Sequence, residues 1–165
     1  MLRKLGFYSA AEYMHDNDFL YVNKVKETQW LLEHVHDFIE IVLVLDGKGL
    51  QYIDGTPMRV QEGDVYVLPV GVSHVFRPST AKSAAPLIVR NLMIRAEWLE
   101  QIKHCLPDFA MKQFADWLMG KGDDPQRRWS KAADHLGAIR RISESMHNIL
   151  AKRDASYLTQ AMVWS

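Results

Sequence analysis

The chain has 165 residues, 48% apolar and 24% charged, with 20 basic side chains balanced by 20 acidic ones. That length suits a single domain with a short appendage, and the balanced charge leaves no basic footprint for nucleic acid on this chain itself. Cys105 is the only cysteine, so no disulfide can form within the chain, which fits a reducing, cytoplasmic setting.

No segment is apolar enough for a membrane span: the strongest run, Ile39 to Leu45, is too short. The N-terminal "MLRKLGFYSAAEYMHDND" starts basic, but Glu12, His15 and Asp16 interrupt it, so it does not read as a signal peptide.

Residues 19 to 95 read as strands and turns. "FLYVNKV", "FIEIVLVL", "GLQYI", "MRV", "DVYVLP", "HVF" and "PLIVRNLMIR" are short and rich in β-branched and aromatic residues, and "DGKG", "DGTP", "EGD" and "PVG" separate them. Many short strands with no helical pattern between them predict a sandwich or barrel.

After Ala96 the texture becomes helical. "AEWLEQIKHCL" and "PDFAMKQFADWLMG" read as short helices, the second with Pro107 in its first turn and Gly120 at its stop. "KGDDPQRR" is a polar loop, and a longer helix is expected from near Ser130. In it Leu136, Ile139, Ile142, Met146, Ile149 and Leu150 recur at helical spacing as one apolar stripe, with Arg140 and Glu144 able to pair one turn apart. "SYLTQAMVWS" is expected to be part of a further helix that continues to the last residue.

"HVHDFIEIVLVLDG" is the most informative stretch. Side chains alternate faces along a strand. If residues 34 to 44 form one strand, then His34, His36 and Glu40 share a face, and His74 on a later strand can be brought opposite them if the sheet closes. A single interior histidine is usually a satisfied core residue. Three such polar groups on one face must satisfy one another, face a wet cavity or bind a metal, and together they suit Fe, Mn, Ni, Cu or Zn.

The same residues carry a family resemblance. "HVHDFIEIVLVLDG" matches the first cupin motif at His34, His36, Glu40 and Gly47, and "GDVYVLPVGVSHVFRP" matches the second at Gly63, Pro69, Gly71 and His74. Thr28 replaces the Gly that usually opens the first motif, and Pro78 the Asn that usually ends the second. The resemblance implies a mainly β fold, a cupin double-stranded β-helix or jelly-roll barrel, followed by α-helices. It also implies a metal-ligand set of His34, His36, Glu40 and His74 for a divalent ion such as Zn, Ni, Mn or Fe.

The wider stretch from "LLEHVHDFIEIV" to "HVFRP", with the later "LIVRNLMIRAEWL", resembles the N-terminal ligand-sensing domain of AraC-type transcription regulators, especially the rhamnose-responsive branch. That resemblance implies an effector-sensing barrel with its N-terminal arm at residues 1–95 and a dimerising helical extension at 96–165. The implied effector is a monosaccharide, the implied assembly a homodimer, and DNA would be bound only through a helix-turn-helix domain not present in this chain. Candidate effector contacts are Trp30, which shares the face of His34 and His36 by parity, then His34, His36, Glu40 and His74, with Tyr52 and Arg90 from neighbouring strands. Arg59 and Arg77 are expected to be solvated. The alternative is a small metal-dependent cupin enzyme, an isomerase or dioxygenase. No second acid–base pair can be placed near the site, so the sequence favours a regulator rather than an enzyme.

Overall fold

A computed structural model describes residues 5–79, 86–122, 124 and 126–163, with side chains up to residue 152. In chain order the strands are β1 (Gly6–Tyr8), β2 (Leu20–Lys26), β3 (His34–His36), β4 (Phe38–Asp46), β5 (Lys48–Ile53), β6 (Thr56–Gln61), β7 (Asp64–Leu68), β8 (His74–Pro78) and β9 (Ile88–Arg95). Then come α1 (Ala96–Ile102), α2 (Phe109–Leu118), β10 (Ser130–Ala133) and α3 (Ala138–Val163).

The strands form two five-stranded sheets, ordered β1-β3-β8-β5-β6 and β10-β7-β4-β9-β2. From β2 to β9 the chain crosses repeatedly between them, which is the double-stranded β-helix expected from the motifs. Val42, Tyr66, Leu68 and Val89 of the second sheet meet Ile53, Val60 and Phe76 of the first to form the core. The second sheet is also covered outside, where Leu43, Leu45 and Val65 pack against Ile139 of α3. Apolar cover on both faces explains why β4 reads as a continuous apolar run instead of alternating.

The histidine segment is not one strand. It turns a corner at Asp37, so that β3 pairs with β8 in one sheet while β4 pairs with β7 and β9 in the other. The Asp37 carboxylate pins the corner by accepting Ser9 Oγ (2.8 Å) and the Ala10 amide (2.6 Å). The alternation survives the bend: His34, His36, Phe38 and Glu40 are all buried.

Two turns depend on their residues. Asp54 (φ 47°) and Gly55 (φ 80°) form the two-residue connection between Ile53 and Thr56, a turn with both central residues left-handed. Gly47 (φ 88°) lies against the Pro86 carbonyl, where a Cβ would collide with backbone.

The helical part differs from the sequence reading in several respects. Pro107 precedes α2; Asp108 caps it, accepting the Met111 amide at 2.8 Å. Ser130–Ala133 is a strand, not the start of a helix, and pairs antiparallel with β7 at a sheet edge. α3 begins at Ala138, where Asp134 accepts the amides of Ile139 and Arg140 (3.1 and 2.9 Å), and it continues as one helix to Val163. The side chains of "SYLTQAMVWS" fall outside the described residues.

The expected stripe also divides. Ile139 faces the barrel, whereas Leu136, Ile142 and Ile149 are exposed. Arg140 does not pair with Glu144: it donates to Leu45 O and Glu62 (2.6 and 2.8 Å), and Glu144 instead pairs with Arg90.

Candidate functional site

The barrel encloses a cavity of about 190 Å³ beside the histidines. Inward positions of β2 supply Asn23 and Val25, with Glu27 just beyond its end; β9 supplies Asn91 and Met93. Phe38, Glu40 and Val42 come from β4, and His74 and Phe76 from β8. Tyr8 and Tyr13 of the N-terminal arm close one side, close to His34 and Phe38.

At one end, His36, Glu40 and His74 bring one ligand atom each within 4.8 Å of one another. His74 Nε2 lies 3.0 Å and His36 Nε2 3.6 Å from Glu40 Oε2. Beyond these ion-pair contacts, His36 Nε2 and Glu40 Oε2 are buried with no further hydrogen-bond partner among the described residues. His36 Nδ1 lies 2.6 Å from the Phe38 carbonyl, which fixes the proton on Nδ1 and leaves the Nε2 lone pair directed at the carboxylate. This is the tautomer a metal-bound histidine needs, held by the kind of backbone contact that orients such ligands.

The charges agree. Burial lowers the pKa of His36, and lowers that of His34 to about 4 with a further contribution from His74. Burial would raise the pKa of Glu40, but the neighbouring His74 and the other imidazoles outweigh it and bring the carboxyl down to about 2. At neutral pH His34 and His36 are therefore unprotonated and Glu40 is ionised, and the imidazole–carboxylate donor set fits a divalent ion.

His34 departs from the four-ligand expectation. Its Nδ1 contacts the Leu32 carbonyl at 3.0 Å and its ring packs against Tyr8 and His74, with centroids 4.7 and 4.4 Å away. It belongs to the cavity wall but not to the converging set.

Three expected effector contacts lie elsewhere. Trp30 is 89% exposed, because β2 ends at Lys26 and β3 starts only at His34, so strand parity does not reach it. Tyr52 sits on the outer face of β5, in an open groove with Gln29 and Arg77, while its neighbours Gln51 and Ile53 face inward. Arg77 also donates to the Phe76 carbonyl at 3.0 Å, so it is not simply solvated. Arg90 is buried, but on the outer face of the second sheet beneath α3, where it meets Glu144 (2.5 Å) and Ser143 (3.4 Å).

The polar cavity residues not singled out from the sequence are Tyr8, Tyr13, Asn23, Glu27 and Asn91. Glu27 is 7% exposed, and burial together with the charge of Glu40 raises its pKa to about 7. Tyr13 stays a neutral phenol, its pKa pushed up to about 12 by burial and by Tyr8. Each asparagine has a charged neighbour in its strand, Lys24 beside Asn23 and Arg90 beside Asn91, so no alternation in the sequence marked the asparagines as inward.

Comparison with known proteins completes the description. The AraC-like ligand binding domain model matches residues 27–161. The chain is 25% identical over 123 residues to the HTH-type transcriptional activator RhaR of Klebsiella pneumoniae, covering 74% of this chain and 39% of the relative. It is 26% identical over 128 residues to RhaR of an Enterobacter species, covering 75% and 39% respectively. The chain thus spans about two-fifths of the length of these relatives. Among solved structures, unsaturated fatty acid-bound wild-type ToxT from Vibrio cholerae superposes with a TM-score of 0.54 at 14% identity, covering 79% of this chain and 47% of ToxT. That likeness concerns the fold alone. With the two motifs, the barrel and a family match over most of its length, the chain belongs to the AraC-like ligand-binding domains, and its curated relatives are transcriptional activators.

Proposed function

We propose that this domain senses a monosaccharide in its barrel cavity, on behalf of a transcription regulator whose DNA-reading domain is separate. The observation carrying this reading is the cavity lining: tyrosines, asparagines, carboxyls and imidazoles outnumber its aliphatic groups, and several of their polar atoms have no hydrogen-bond partner among the described residues. The cavity holds the equivalent of about six waters, a space suited to one small hydroxyl-rich molecule. A fatty acid, the ligand of the ToxT structure, would leave those polar atoms unmet over much of its length.

α3 would then dimerise the sensor. Ile142 and Ile149 are 58% and 67% exposed and lie seven residues apart, on one side of the helix. Thermal melts of the domain with a panel of monosaccharides and with an unsaturated fatty acid test the sensing. The reading expects stabilisation by at least one sugar, weakened in Glu40→Gln. Stabilisation by the fatty acid alone would overturn it.

The alternative, a metal-dependent cupin enzyme, is favoured by one observation: His36 Nε2 faces Glu40 with no hydrogen bond among the described residues. In either role His36, Glu40 and His74 would hold the ion, which would supply a Lewis acid for ligand oxygens.

A further inference from the structure

The wall of the cavity opposite the motif histidines has its own polar feature. Asn23 of β2 and Asn91 of β9 are register partners in an antiparallel pair, so their side chains leave the sheet side by side on its inner face. Both line the cavity, and both Oδ1 atoms are sealed from solvent with no hydrogen-bond partner among the described residues. A wall serving only to fill the barrel would carry aliphatic residues here, as Val25 and Val42 do nearby. Two adjacent amides with unmet acceptors are destabilising unless something in the cavity satisfies them.

Resting on the monosaccharide reading, we propose that Asn23 and Asn91 recognise two neighbouring hydroxyl groups of a neutral effector. Each amide offers an acceptor and a donor, and each hydroxyl both donates and accepts, so one amide can engage one hydroxyl in both senses. Side-by-side amides therefore complement a vicinal diol.

The rest of the lining supports a neutral ligand. No lysine or arginine lines the cavity among the described residues, and two carboxyls, Glu27 and Glu40, do. A sugar acid, a phosphorylated sugar or a fatty-acid carboxylate would meet no countercharge there. Val42 is the register partner of Asn91 on its other side, and Glu40 lies two residues along β4, facing the same way. The amide pair thus fixes one edge of the ligand while the imidazole–carboxylate cluster meets another.

Calorimetry on this chain tests the assignment, using the best-binding sugar of a panel containing L-rhamnose, L-fucose, L-arabinose and D-glucose, together with the monodeoxy analogues of that sugar. Asn23→Ala and Asn91→Ala should each weaken the parent sugar by about tenfold or more. One deoxy analogue should lose about as much against the wild type, yet lose nothing further against one of the two variants. A merely structural role would weaken every analogue alike. If an alanine variant does not melt cooperatively, threonine at the same position replaces it, with the same expectation of weakened binding. Affinities within twofold of wild type in both variants, or the same loss for every analogue, overturn the proposal; if Glu40→Gln still weakens the sugar, the monosaccharide reading stands without it. A wild type that binds none of these sugars but binds an unsaturated fatty acid or a sugar acid overturns both.

Discussion

Arg90 Nη2 lies 2.5 Å from Glu144 Oε2, and this contact joins the strand that carries Asn91 to the helix that carries the exposed isoleucines. Arg90 and Asn91 are neighbours on β9 with opposite orientations, one toward α3 and one toward the cavity. A second tie lies beside it, where His147 Nδ1 approaches the Val22 carbonyl at 3.2 Å, next to Asn23. The two strands that carry the asparagine pair are thus both fastened to α3.

Removing one partner of this pair should be worse than removing both. Glu144→Ala leaves the buried guanidinium without its carboxylate, so thermal melts should show a larger loss of stability than for Arg90→Met with Glu144→Ala. Arg90 holds the Glu144 pKa below its ordinary 4.5, so the stabilisation from the pair is present above that pH and lost as pH falls below it. Equal melting of both variants across the pH range would show that the contact contributes nothing.

Glu27 gives a pH dependence of opposite sign. Its carboxyl titrates near 7 in the folded chain against an ordinary 4.5. The folded state therefore favours the protonated form. The associated stability is fully present below about pH 4.5 and is lost as pH rises toward 7, a swing of order 3 kcal/mol at most. Glu27→Gln should melt higher than wild type at pH 8, and the gap should close near pH 4.5. A pH-independent gap would contradict the assignment.

The divided stripe of α3 predicts two separable effects. Ile139→Asp places a charge against Leu43, Leu45 and Val65 and should destabilise the fold by about 2 kcal/mol or more. Ile142→Asp with Ile149→Asp should leave melting nearly unchanged and give a monomer in sedimentation. A dimer that survives the second pair would place the association elsewhere.

Metal uptake has its own expected outcome. Adding Zn²⁺ or Ni²⁺ should raise the melting temperature of wild type, by the equivalent of about 2.7 kcal/mol at a hundredfold excess over Kd, and should not affect His36→Ala with His74→Ala. No shift in wild type would assign His36, Glu40 and His74 to hydrogen bonding with the effector alone.

The barrel and its metal-type cluster were legible because they rest on local chemistry: glycines at left-handed turns, and histidines whose spacing survives the corner at Asp37. Other features depended on contacts that a linear pattern does not carry. β9 is apolar on both faces because α3 covers its outer side, so alternation could not tell whether Arg90 or Asn91 faced the cavity. Ser130–Ala133 has little strand propensity and becomes a strand only through pairing with β7. Trp30 followed strand parity into a segment that is a loop.

The central claim, that the effector lies inside the barrel, is tested most directly by a crystal structure of the domain with its best-binding monosaccharide. The account predicts ring density between the Asn23–Asn91 pair and Glu40, with hydroxyls on both asparagines. Density in the outer groove beside Tyr52 and Arg77, with the interior filled only by water, would contradict it.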